Sequence, residues 1–353
     1  MSEHNIPNPD LPNEIIIDIL SRLPVKSLLQ FRRVSKHFRN LISDTRFIKS
    51  HLKKAEALST HHRILVPTSA LLSLNYNLSP NDINASIELN CPFLNSRNAI
   101  KILGSCNGLV CIIDGSKDLT IYNPSTRRYF KPFRSPQALS GSNESNQIEY
   151  VYGFGYGSNP SDLRLIRFPR FGRDSGHIRF GIYDFIDTAG TFLNGSLHWL
   201  ARHSNIEDQN RVIASFDVSK QTFSDVYLPP QEPNLPYYML GVLKGCLYAI
   251  GDGVFHTEVE VWLMKEYGVV NSWSKFVKIP VDMWTGSISY MRPLRSVNDD
   301  EIVVEIDLQS FAIYDTTKKT FRRVKGVGNL KWFGDATVYV ESLVSPQVSC
   351  MLY

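Results

Sequence analysis

The sequence has no long apolar run. No stretch approaches the roughly 20 apolar residues that carry a helix across a bilayer, which excludes a helical membrane span. A secretory opening is missing too. Glu3, Asp10 and Glu14 stand where a signal peptide has a basic segment and an apolar core. The chain is therefore expected to be soluble and intracellular, cytoplasmic and/or nuclear, not secreted and with no membrane partner. Cysteine is scarce. Cys91, Cys106, Cys111, Cys246 and Cys350 are expected to be free thiols in that setting. Cys106 and Cys111 read as five apart on one strand-like segment, pointing to opposite faces and unable to clip one metal. Cys350-Met351-Leu352-Tyr353 fits a prenylation box only superficially, because Tyr is an unusual last residue and no basic stretch precedes it. Excess charge is small as well. A net charge of +4 over 353 residues is too mild to make nucleic acid the main partner.

Catalytic patterns are also missing. The nine histidines show no ligand spacing, and the adjacent His61 and His62 cannot share one face of an element. His198 reads as a satisfied strand histidine. There is no Gly-x-Ser-x-Gly elbow, and "GFGYG" is too short for a phosphate loop. No catalytic residue, metal or cofactor is expected.

What is present is ordinary globular composition, 43% hydrophobic and 20% charged, in a chain long enough for two domains. The two halves differ in pattern. Residues 11 to about 54 read as three or four short helices. Asp10 is a cap-type residue upstream of the first, Pro12 suits its first turn, and Pro24 stops it. Ser35 and either Asp44 or Thr45 are placed to cap later helices. In "LPNEIIIDILSRLP", Ile15, Ile16, Ile17, Ile19, Leu20 and Leu23 sweep about 200° of helix surface, roughly twice the stripe that one core contact needs. The excess predicts a second partner.

From about Ile64 the chain alternates short strand-like runs with Gly, Pro, Asn, Asp and Ser clusters. A repeat organises them. "LTIYNPSTRRYF", "IASFDVSKQTF" and "SFAIYDTTKKTF" each end a strand in an aromatic, follow it with Asn or Asp, turn, and open the next strand with a second aromatic. The pairs are Tyr122 and Tyr129, Phe216 and Phe223, and Tyr314 and Phe321. Asn123, Asp217 and Asp315 are positioned to bond the turn backbone two residues on. A fourth copy is read with Trp262 and Trp273 as its pair and a four-residue insertion. Gly108, Gly195 and Gly245 mark tight turns upstream. The unit is strand, Gly turn, strand, loop, strand, Asx turn, strand: one four-stranded propeller blade.

These residues resemble a known family. "LPNEIIIDILSRLPVKSLLQFRRVSKHFRNLISDTRFIKSHL" is similar to a plant F-box. "GSCNGLVCI", "IYNPSTRRY", "YGFGYG", "FLNGSLHWLA", "VWLMKEYGVVNSWSK" and "SYMRPL" resemble the F-box-associated interaction domain, type one, of plant F-box/kelch-repeat proteins. The S-locus F-box and immune-receptor-limiting groups are similar. The resemblance implies an α+β multidomain fold: a small all-helical F-box at 8–54, then an all-β, kelch-like propeller domain at 60–345. It implies a non-catalytic substrate-recognition subunit of an SCF-type ubiquitin ligase. The F-box would bind a Skp-type adaptor, and through it cullin, while the β domain recruits a protein target, an immune receptor being one class. Leu11, Pro12, Ile16, Ile19, Leu20, Leu23, Leu28, Val34, Lys36 and Phe38 match the family's F-box pattern, with Phe38 where Trp is common. Their split between adaptor contact and internal packing stays open. A propeller enzyme with a helical leader, or an F-box protein acting outside the ligase, are the alternatives.

One departure stands out. After "VYGFGYGSNPSDLRLIRF" the family continues with a further hairpin that this chain lacks, so one blade is expected to be truncated by roughly 20–40 residues and closure of the ring is at issue. Substrate-binding residues are not readable. The irregular loops 114–118, 202–211, 251–257 and the link 134–147 are expected at one end of the propeller. His203, Glu207, Asp208, Asp252, Phe255 and His256 are the candidates there.

Overall fold

The structure is a computed structural model. It describes residues 11–76, 86–94, 100–115, 118–132, 149–170, 183–187, 189–203, 211–230, 237–252, 258–281, 288, 290–324, 335–347 and 349–352.

Four helices open it: α1 (Asn13–Leu20), α2 (Val25–Phe31), α3 (Lys36–Ser43) and α4 (Thr45–Ala57). Pro12 is the N-cap of α1 and not a residue of its first turn, and no side chain caps that helix. Ser35 caps α3, its hydroxyl accepting from the Phe38 N–H at 3.2 Å. Of the two candidates for α4 the cap is Asp44, which accepts from the N–H groups of Arg46 and Phe47. α4 runs to Ala57, three residues past the expected domain edge.

The remainder is β structure. The first sheet holds β1 (His62–Pro67), β2 (Leu71–Leu74) and β3 (Ser86–Leu89). The second holds β4 (Lys101–Cys106), β5 (Leu109–Ile113), β6 (Leu119–Asn123) and β7 (Arg128–Phe130). The third holds β8 (Glu149–Tyr156) and β9 (Leu163–Arg170). In the fourth are β10 (Tyr183–Phe185), β11 (Thr191–Leu193), β12 (Ser196–His203), β13 (Arg211–Asp217) and β14 (Thr222–Val226). The fifth comprises β15 (Tyr237–Leu243), β16 (Cys246–Asp252), β17 (Glu258–Met264) and β18 (Trp273–Pro280). The sixth comprises β19 (Met291–Ser296), β20 (Glu301–Ile306), β21 (Ser310–Asp315) and β22 (Thr320–Arg323). Two late strands return to earlier sheets: β23 (Thr337–Val340) joins β1, and β24 (Ser349–Leu352) joins β9.

Among the described residues, five sheets therefore have at least four strands and form full blades, and the third has three. The ring closes: β23 supplies the innermost strand of the first blade, in antiparallel register from His62↔Val340 to Leu65↔Thr337. A buried hydrogen bond between Ser73 Oγ and Tyr339 Oη, 2.7 Å, secures that joint. On the other side, buried Glu305 of β20 accepts from both Arg292 and the Ala336 N–H, tying the sixth blade to the closing strand.

The turn chemistry explains why the repeat folds as it does. Asn107-Gly108, Asn194-Gly195 and Lys244-Gly245 each have positive φ at both residues, as a two-residue hairpin with the right twist requires. The carboxylate or amide oxygens of Asn123, Asp217 and Asp315 each accept two backbone N–H bonds within their turn. Tyr122↔Tyr129, Phe216↔Phe223 and Tyr314↔Phe321 are direct cross-strand pairs. In the fifth blade the equivalent pair is Met264↔Trp273. Trp262 sits two residues earlier and opposite Lys275, so the repeat frame there is shifted by two and the turn is correspondingly shorter than expected. A second correction concerns Cys106 and Cys111. They lie on two strands joined at Asn107-Gly108 and contribute to the same core, both as free thiols.

Candidate functional site

The helical unit builds the first site. Leu20, Val25, Leu28, Ile42 and Phe47 are buried together, with Ile16, Leu23 and Phe38 partly buried against them. Leu343, from the segment after the closing strand, completes this core, so the small unit leans on the propeller. The polar side of α1 is fastened inward. Lys54 Nζ donates to Asp18 Oδ1 at 2.7 Å and to Ser21 Oγ at 2.6 Å. Hydrogen bonds from Lys54 and then Arg22 hold the Asp18 carboxyl below the usual carboxylate range.

The excess apolar arc now divides. Ile16, Ile17, Leu20 and Leu23 face the core. Leu11, Ile15 and Ile19, spaced by four, remain exposed at 57%, 47% and 48%. A second apolar group, Phe31 and Val34, is exposed at 37% and 67% around the α2–α3 elbow. Pro12 and Lys36 are exposed beside these groups in sequence. Leu20 and Leu28 are shut inside and offer no surface to a partner, because each points into the shared helical core. Ile15 and Phe31 are exposed apolar residues outside the expected set. The width of the apolar arc signalled Ile15; nothing in the spacing singled out Phe31.

The helical unit joins the propeller at the end where first and third turns lie, since His62 opens β1 directly opposite Val340, the last residue of β23. Glu341 makes the joint. Its N–H donates to the His61 carbonyl at 2.9 Å, and its carboxylate pairs with Arg63 at 3.1 Å. His51, His61 and His62 are all buried here. Burial lowers all three pKa values, His62 to about 4.

The opposite end of the propeller is the second candidate. A central channel of about 1170 Å³ runs between the ends, with Glu56 and His62 among the residues lining it. Lys101, Asp187, Arg292 and Asp335 line its far part. Burial pushes the Asp187 carboxyl up to about 6, against a hydrogen bond from the Leu200 N–H. At the far end of the fourth blade His203 Nε2 meets Asp225 Oδ2 at 3.1 Å, and the Tyr183 hydroxyl donates to Asp225 Oδ1 at 2.5 Å. His203 is therefore engaged in an intramolecular pair. Asp252 ends β16, opposite Val259. Glu207, Asp208, Phe255 and His256, and the link 134–147, lie outside the described residues. His198 is a satisfied strand histidine: it bonds the Thr191 carbonyl at 3.0 Å and the Tyr267 hydroxyl at 2.7 Å, and burial brings its pKa down to about 4. Among the described residues no group of three or more His, Cys, Asp or Glu could hold a metal ion, and no helix is long and apolar enough to cross a membrane.

Comparison with known proteins decides what these two units are. Residues 9–50 match the F-box domain, and residues 62–346 match the F-box associated beta propeller domain. The chain is an F-box protein of the F-box associated beta propeller family. Among its relatives, the F-box/kelch-repeat protein At3g23880 of Arabidopsis thaliana is 29% identical, over 98% of this chain and 97% of that protein. F-box protein CPR1 of the same plant is 28% identical over 88% of this chain and 83% of its own. F-box protein At4g22390, also from Arabidopsis thaliana, is 26% identical over 84% and 81%. An F-box joined to such a propeller is the architecture typical of SCF substrate receptors, and the F-box implies a Skp-type adaptor as partner.

Proposed function

We propose that this F-box protein is the substrate-recognition subunit of an SCF-type ubiquitin ligase, with no catalytic step of its own. The observation that carries the reading is the division of labour in the helical unit. One set of residues, Leu343 with Glu341 and its partners, fixes the unit to the propeller. A different set, Leu11, Ile15, Ile19, Phe31 and Val34, is left apolar and exposed. Exposed apolar groups of this kind mark an interaction surface. A propeller enzyme with a helical leader leaves them unexplained.

The target docks, on this reading, at the end of the propeller remote from the F-box. That end receives the loops of irregular length and charge around 114–118, 202–211 and 251–257. The resemblance of "VWLMKEYGVVNSWSK" and "SYMRPL" to the immune-receptor-limiting group makes a plant immune receptor the class of target to try first. The test replaces 202–211 and 251–257 with Gly/Ser linkers of equal length. Adaptor binding should survive and turnover of the target should stop. Unchanged turnover, with loss instead on charge reversal of Arg127, Arg128, Lys318 and Lys319, would place the target at the other end.

A further inference from the structure

Among the described residues the third blade has three strands, and one of them comes from the far end of the chain. The β8–β9 hairpin supplies two strands, and β24 pairs with β9 from Ser349↔Arg164 to Leu352↔Arg167. Every other pairing between named strands is antiparallel; this one is parallel. A third strand entering by a hairpin from β9 would run antiparallel, so the parallel sense marks a strand that arrived from elsewhere.

The tail is led to this edge by specific contacts. Asn123, wholly buried, donates from Nδ2 to the Ser342 carbonyl at 3.1 Å and the Val344 carbonyl at 2.8 Å. Ser342 Oγ donates to the Asn107 carbonyl at 3.0 Å, where a side chain at Gly108 would collide with Ser342. Val344 packs against the core shared by the second and third blades. Only residues 345–348 separate this anchor from β24. So short a tether gives the terminal strand a high effective concentration at β9.

We propose that the outer edge of β9 is a strand-acceptor site for an extended peptide in parallel register, and that its resident occupant is the protein's own segment Ser349–Leu352. Without it, the backbone groups on that edge of β9 would form an open sheet edge, a site for unwanted pairing. Four residues in a parallel edge pairing hold weakly by themselves, so the strand is exchangeable, and a peptide of the same sequence can take its place.

The test uses the full chain bound to its Skp-type adaptor, and the same complex ending at Gln347. Hydrogen exchange is read at β9, and a synthetic peptide of residues 345–353 is added in trans. Truncation should speed exchange at alternate amides of β9 by about tenfold or more, and the peptide should restore protection. Cys350→Pro and Met351→Pro should differ, because adjacent residues of a strand alternate between facing β9 and facing away. Unchanged exchange after truncation, no peptide binding, or two equivalent proline variants would overturn the proposal. A concentration-dependent dimer that truncation dissolves would place the tail on a neighbouring copy and overturn its assignment within one chain.

Discussion

Asn123→Asp isolates a role that the turn motif conceals. The side-chain oxygen of Asn123 makes the Asx turn, accepting from Ser125 N at 2.9 Å and Thr126 N at 3.1 Å. Asp can do the same, as Asp217 and Asp315 do in other blades. The amide nitrogen does something else: it holds the carbonyls of Ser342 and Val344. Asp replaces that donor with a second oxygen facing two carbonyl oxygens, at a residue with no exposed surface. Two carbonyl acceptors, one buried and one partly buried, lose their partner, at about 1–3 kcal/mol each. Repulsion from the new carboxylate adds to this. A loss of about 4 kcal/mol lowers the melting temperature of a domain this size by about 10 °C, at roughly 2–4 °C per kcal/mol. The pH dependence is diagnostic. The introduced carboxyl is buried beside acceptors, so its folded pKa lies above its unfolded value of about 4. The destabilisation is then full at neutral pH and shrinks as pH falls through the folded pKa, where the protonated acid donates again. Asp217→Asn is the control. Its carboxylate accepts from the turn and pairs with an exposed Lys220, so the change should stay within about 1 kcal/mol. Thermal denaturation of both variants at pH 7 and pH 5 is the assay. Equal, small effects would refute the account of Asn123 as a tail clamp.

Two further predictions follow from burial. Ile19→Asp or Val34→Asp should weaken binding to a Skp-type adaptor by about a hundredfold or more, measured by titration calorimetry, with no change in melting; Leu28→Ala should instead destabilise the helical unit by about 2–5 kcal/mol. His62 and His198 are buried with pKa values brought down to about 4, from an unfolded value of about 6.5. Neutral imidazole is favoured in the fold, so their contribution is full above about pH 6.5 and lost as pH falls towards 4, roughly 2 kcal/mol each by pH 5. Asp187, its carboxyl pushed up to about 6, works in the opposite sense, so His198→Gln should flatten the acid limb of stability and Asp187→Asn should steepen it.

Much of the propeller was legible because its signals are local. Asn-Gly turns, Asx oxygens and paired aromatics each act within a few residues, and three blades repeat them in one frame. The fifth blade misled because two aromatics, Trp262 and Trp273, outweighed Met264, which takes the equivalent place. Cys106 and Cys111 were misplaced because a five-residue gap says nothing of the hairpin between them. The F-box arc announced an extra surface, and the division into Leu20 inside and Ile19 outside needed the packing of four helices and Leu343. The roles of Ser342, Leu343 and β24 left no local trace. They join residues more than 180 positions apart, and no single-sequence period records such a pairing.

The central claim is that one surface of this chain holds the ligase adaptor while another holds a target. The most direct measurement is a comparison of the proteins that co-purify from plant cells, with the proteasome blocked, on the intact chain and on the Ile19→Asp, Val34→Asp double variant. The intact chain should bring down a Skp-type adaptor, cullin and at least one ubiquitinated protein. The variant should lose adaptor and cullin and keep the same protein, now unmodified. An intact chain that recovers no Skp-type adaptor, or a variant that recovers it undiminished, would contradict the account.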